Sequence, residues 1–155
     1  MSVELIRNAM PDTSTEIPSA HPHILLVEDE SGARELYQTV LGMAGYQIDL
    51  ACDGFEAIEC LKKGHYDLLI TDNMMPKLCG IDMLRQLRQE NGVLPAIMIS
   101  GDMPVHEIDL KKLVTPGGLL AKPFSASRFL AAVDAALHGK TLPSARSFDD
   151  FAAVA

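Results

Sequence analysis

The sequence predicts an α/β fold, a doubly wound sheet of five parallel strands in the order 2-1-3-4-5 with helices on both faces. Three observations lead there. Short apolar runs recur along the chain, each is followed by apolar residues at helical spacing, and one run alternates where the others are continuous. A continuous run fits a strand covered on both faces, and an alternating one fits an edge strand.

The elements follow in order. HILLV (23–27) reads as the first strand. Ala33, Leu36, Tyr37, Val40, Leu41 and Ala44 fall on one helical face, with Gly45 placed to end it. Tyr46 to Ala51 alternates, Ile48 and Leu50 against Gln47 and Asp49, so this strand belongs at an edge. Asp53-Gly54 turns the chain into a helix carrying Phe55, Ala57, Ile58 and Leu61, ended by Gly64. Asp67 to Thr71 is the third strand. A loop with Pro76 and Gly80 leads to a helix with Ile81, Leu84 and Leu87, closing near Asn91-Gly92. AIMIS (96–100) is the fourth strand, opened by Pro95. Pro104 suits the first turn of a fourth helix bearing Val105, Ile108 and Leu113, which Thr115-Pro116-Gly117-Gly118 breaks. Leu119 to Ala121 is a short fifth strand. Phe129, Leu130, Val133 and Leu137 define the last helix, ending at Gly139.

The expected organisation is a Pro, Ser and Thr-rich flexible leader (1–20), one domain (21–140) and a tail (141–155) in which Phe148 and Phe151 could dock weakly. A chain of 155 residues, 48% hydrophobic, can bury one sizeable core. Its 21 acidic and 13 basic side chains give a net charge of −8, which argues against nucleic acid and against an anionic membrane surface. The same balance suits a basic partner or a bound cation. No apolar run approaches the roughly 18 residues of a membrane span. Glu4 and Arg7 interrupt the N-terminus, so no signal peptide is expected and the cytoplasm is the expected location. Cys52, Cys60 and Cys79 form no metal or redox spacing and read as small buried or half-buried thiols.

In a doubly wound sheet the ligand sits beyond the carboxyl ends of the strands. Those positions hold Glu28 and Asp29, then Asp72, then Ser100 and Gly101, then Lys122 and Pro123. Each alone has an ordinary reading. Asp29 or Ser31 would cap a helix, Asp72 would sit in a turn, and Ser100-Gly101 and Lys122-Pro123 would be loop residues. Together they make a site. Crowded carboxylates resist ionising unless a positive charge lies among them, and Mg²⁺ with its oxygen ligands and retained waters answers that need. A lysine on the opposite flank adds positive charge, which suits a phosphoryl group with Asp72 as nucleophile.

The segments ILLVEDE (24–30), LLITDNMMP (68–76), IMIS with Gly101, and AKPF (121–124) resemble the bacterial two-component response-regulator receiver domain, over about residues 22 to 139. The resemblance implies the flavodoxin-like receiver fold and phosphotransfer from a sensor histidine kinase or a histidine phosphotransfer protein. By matching positions it implies Asp72 as phosphoacceptor, Asp29 as direct metal ligand and Glu28 as its acidic neighbour acting through water. It further implies the Met74 backbone carbonyl as a ligand, Ser100 as the hydroxyl that contacts the phosphoryl oxygen, and Lys122 as the phosphate-pairing lysine. Mg²⁺ is the implied cofactor, with Mn²⁺ as a substitute. Lys122-Pro123 matches a bond the family commonly holds in cis.

Two positions depart from the family. Leu119 stands where it usually carries Phe or Tyr, and Met74 is apolar where some members are polar; Asp102 could take part of that polar role. The expected protein is a stand-alone receiver that signals by protein contact or phosphorelay to an unidentified target, with room for a phosphorylation-dependent homodimer. It would be an enzyme only toward its own phosphorylation and dephosphorylation. The alternatives are a constitutive, phosphorylation-independent binding module, a flavodoxin-like electron carrier and a metal-dependent phosphatase. Acids in VEDESG (27–32), where a flavin phosphate would sit, oppose the electron carrier.

Overall fold

In the computed structural model, which describes residues 21–139 apart from 91, 103, 105, 108, 115 and 116, the apolar runs pair into one parallel sheet. Its strands are β1 (His23–Val27), β2 (Gln47–Ala51), β3 (Leu68–Asp72), β4 (Ala96–Ser100) and β5 (Gly117–Ala121), in the order β2-β1-β3-β4-β5. The crossovers are α1 (Ser31–Met43), α2 (Gly54–Lys63), α3 (Gly80–Gln89) and α4 (Leu110–Leu113), and α5 (Ala126–Leu137) follows β5. The expected leader and tail, with Phe148 and Phe151, lie outside the described residues.

Side chains alternate across each strand, so a continuously apolar run feeds two cores. Ile24, Leu26, Ile70 and Ile99 meet Tyr37 and Leu41 of α1 and Phe129 and Val133 of α5. Leu25, Val27, Leu69 and Met98 face the other way, toward Ala57 of α2, Leu84 of α3 and Leu113 of α4. Ile70 is wholly buried, and burying a side chain of this kind contributes roughly 1.5–3 kcal/mol. The same strands therefore anchor helices on both faces and fix where their carboxyl ends lie.

Several local expectations change. The cap of α1 is Glu30, whose carboxylate accepts from the Gly32 and Ala33 N–H groups at 3.0 and 2.6 Å; neither Ser31 nor Asp29 supplies it. Ser31 is already the first helical residue, one position too far on to cap. Leu36 is exposed because α1 buries a narrow stripe built on Tyr37 and Leu41, and Phe55 is exposed on α2. Cys60 and Cys79 are half-buried as expected, but Cys52 is exposed on the loop after the edge strand, its thiol on Glu56 Oε2. The fourth helix ends before the Gly117-Gly118 pair as expected, but the pair already belongs to β5, which starts two residues before Leu119. Gly117 has φ +133° and pairs with Ala96 so closely that a Cβ would run into the Ala96 carbonyl.

The fourth helix departs most. The expected helix from Pro104 shrinks to Leu110–Leu113, and residues 104, 106, 107 and 109 form loop and turn before it. Val105, Ile108, Thr115 and Pro116 lie outside the described residues. Beside it on α3, the Arg85 guanidinium pairs with the Glu107 and Asp109 side chains just before this short helix.

Candidate functional site

Four strand ends bring the candidate residues together. Asp72 is the last residue of β3 and almost fully buried. Its Oδ1 accepts the Met74 N–H at 2.8 Å, and its Oδ2 accepts from Lys122 Nζ at 2.5 Å. Both oxygens are thus fixed. Lys122 follows β5 directly, and its backbone N–H donates to the Ser100 carbonyl at 2.9 Å. The Lys122-Pro123 bond is cis.

Glu28, just past β1, is the second carboxylate on the lysine, with Oε2 3.7 Å from Nζ. It is 2% exposed, and its Oε1 accepts the Glu30 N–H at 3.1 Å. Among the described residues Oε2 has no hydrogen-bond partner, and for a buried carboxylate that is costly. Burial above all, reinforced by the charge of Asp72 and opposed by the Glu30 N–H and by Lys122, pushes the Glu28 carboxyl up to about 7. Burial also works against the Lys122 ammonium, but Asp72 and Glu28 outweigh it and hold that group above the usual lysine range.

The remaining candidates sit around this centre. Asp29 is exposed, and because Glu30 caps α1 its carboxylate makes no hydrogen bond among the described residues. Met74 has an exposed side chain. Ser100 ends β4 fully buried, but its hydroxyl donates to the Asp102 carbonyl at 2.7 Å and accepts the Asp102 N–H at 3.3 Å. The structure thus joins Glu28, Asp72 and Lys122 directly, while Ser100 at the end of β4 and Asp29 and Asp102 in the loops stand apart from that contact. Among the described residues, no three acidic, imidazole or thiol side chains form a ready-made metal cage.

Two supporting residues escaped the sequence reading. Arg34 on α1 donates to the Glu28 carbonyl at 2.8 Å and the Asp29 carbonyl at 3.3 Å, pinning the acidic loop. Its place one turn into the helix that follows the acidic pair is the signal that could have found it. Asn73 is buried, and its Oδ1 accepts the Ile81 N–H at 3.2 Å, tying the loop after β3 to α3. Gly80 makes that turn possible, since a Cβ there would stand 2.5 Å from the Asp72 carbonyl oxygen.

The model of the response regulator receiver domain matches residues 24–134. The chain belongs to the response-regulator receiver family. It is 35% identical over 133 residues to the response regulator MprA of Mycobacterium leprae, covering 82% of this chain and 58% of that protein. It is 32% identical over 110 residues to the transcriptional regulatory protein DltR of Streptococcus agalactiae, covering 71% and 49%. The chain thus spans about half the length of the curated relatives it matches. A Francisella response-regulator receiver domain superposes with a TM-score of 0.70 at 29% identity, over 76% of this chain and 98% of that one. The Thermotoga maritima response regulator TrrA, solved in complex with Mg²⁺ and a beryllium fluoride, gives 0.66 at 28% identity, over 74% and 98%. This receiver domain is a two-component signalling module, and no described helix is long and apolar enough to cross a membrane.

Proposed function

We propose that Asp72 accepts a phosphoryl group from the phosphohistidine of a sensor kinase or phosphotransfer protein. An Asp72 carboxylate oxygen attacks phosphorus, an O–P bond forms, and the N–P bond breaks with its electron pair returning to the imidazole. The observation that carries this reading is the Asp72–Lys122 pair at the carboxyl end of the sheet. The ammonium fixes the nucleophile before reaction and stands ready to pair with a phosphoryl oxygen afterwards. Ser100, one strand over, is the hydroxyl proposed to meet that phosphoryl group.

The donor set also fits a divalent cation. The unpartnered, buried Glu28 Oε2, the unengaged Asp29 carboxylate and Asp72 supply hard oxygens in need of positive charge. Asp29, Asp72 and the Met74 carbonyl would hold Mg²⁺ or Mn²⁺ directly, and Glu28 through water. When bound, the cation neutralises charge on the transferring phosphoryl group.

Action in the cytoplasm, through protein contact or relay, belongs to this proposal, as does catalysis limited to the protein's own phosphorylation state. Incubation with Mg²⁺ and acetyl phosphate should give one acid-labile phosphate, lost completely in Asp72→Ala. Undiminished labelling of that variant would remove the assignment. The constitutive binding module rests on Leu119 alone, and a chain whose amide spectrum ignored Mg²⁺ and beryllofluoride would favour it.

A further inference from the structure

The connection from β4 to α4 is held at both ends. At the β4 end, Ser100 Oγ is engaged with the Asp102 backbone. At the α4 end, Arg85 on α3 grips the residues that precede the helix. Its Nε and Nη2 donate to Asp109 Oδ2 and Oδ1 at 3.0 and 2.9 Å, a two-pronged fork, and Nη2 also meets Glu107 Oε2 at 2.5 Å. Nη1 meets Asp82 of its own helix at 3.1 Å. The forked geometry matters because these side chains are each roughly one-third to one-half exposed, and single exposed ion pairs are weak. Three residues along α3, Arg88 donates to the Leu113 carbonyl at 3.0 Å, so the same helix also holds the far end of α4.

Arg85, Arg88, Glu107 and Asp109 take no part in the phosphoryl chemistry proposed above. They do constrain its consequence. Turning the Ser100 hydroxyl toward a phosphoryl oxygen on Asp72 breaks its bond to the Asp102 carbonyl and shifts the start of the connection. Glu107 and Asp109, anchored on α3, stand in the way of that shift reaching α4.

We propose that Arg85 is a latch that holds the β4–α4 connection in the arrangement with Ser100 turned to Asp102, and so opposes the shift drawn by a phosphoryl group on Asp72. Breaking the latch moves the balance toward the shifted state, and a ligand selective for that state then binds more tightly.

The inference rests on the proposed phosphorylation of Asp72, and the test separates the two. Beryllofluoride with Mg²⁺ is titrated into the wild-type chain, Arg85→Gln, and the double variant Glu107→Gln with Asp109→Asn, with a melting curve for each. Both variants should bind roughly fivefold more tightly than wild type, the order expected of one forked, partly exposed ion-pair cluster. The gap should narrow near 1 M salt, where the screening length is about 3 Å. Equal or weaker binding by the variants, or a gap undiminished by salt, would overturn the latch. If Arg85→Gln does not fold, the double variant decides alone. Failure of the wild-type chain to bind beryllofluoride would overturn the phosphoacceptor reading, and the latch with it.

Discussion

Lys122 and Asp72 meet although their strands are not neighbours: β4 lies between β3 and β5, and the ammonium reaches over its end to Asp72 Oδ2. One cation thereby serves two buried carboxylates, Asp72 and Glu28. Removing it leaves both without a counter-charge.

Lys122→Met should therefore destabilise the metal-free protein by about 1–3 kcal/mol, less than a fully buried pair because Nζ is partly exposed. In an Asp72→Asn background the same change should cost distinctly less, because only Glu28 then lacks its partner. Urea unfolding of the four-member cycle measures this, and equal costs in both backgrounds would contradict the pairing.

Metal binding should be weak and should depend on Asp29, whose carboxylate no described residue engages. Mg²⁺ raises the melting temperature by mass action if it binds the folded state alone. Asp29→Asn should weaken that binding by about tenfold or more, given that even outer-shell changes at metal sites cost 10–100-fold. The chain has no tryptophan, so calorimetry or thermal shift is the measurement. An unchanged affinity would place the metal elsewhere.

At the opposite end of the sheet, Tyr66 donates to Asp49 Oδ2 at 2.7 Å, with His23 Nε2 3.1 Å from the same oxygen. The Tyr66 hydroxyl foremost, then His23, holds the Asp49 carboxyl below the usual range against some desolvation. A folded-state value below the unfolded one contributes stability above about pH 4 that is lost as pH falls through the folded value. Tyr66→Phe should cost about 1 kcal/mol at pH 6 and less at pH 3, flattening the acid limb of urea midpoint against pH. A constant loss across that range would show that the bond to Asp49 is not the cause.

Leu119 is half-buried against the core under α2, α3 and α4, where the family usually places a ring. It brings less volume than that ring and no hydroxyl. Beryllofluoride should shift backbone resonances mainly in residues 100 to 115 and little around 119 to 121. An equal response at Leu119 would show the aliphatic side chain acting as a full switch.

The sequence by itself determined the sheet, its strand order and which residues stand at the strand ends. Those features depend on periodicity and on residues adjacent to each run, so HILLV and AIMIS could be placed to the residue. What only the tertiary structure decided are pairings between distant positions. Arg85 pairs with Asp109, 24 residues away, just ahead of a fourth helix much shorter than the pattern suggested. Lys122 reaches Asp72, 50 residues away, while Ser100 turns to its own loop instead. The carboxylate of Glu30, and not its neighbours, caps α1 and leaves Asp29 unengaged. Hydrophobic pattern fixes which face of each element is buried. It carries no information about which of several equally polar side chains will find one another once those faces have closed.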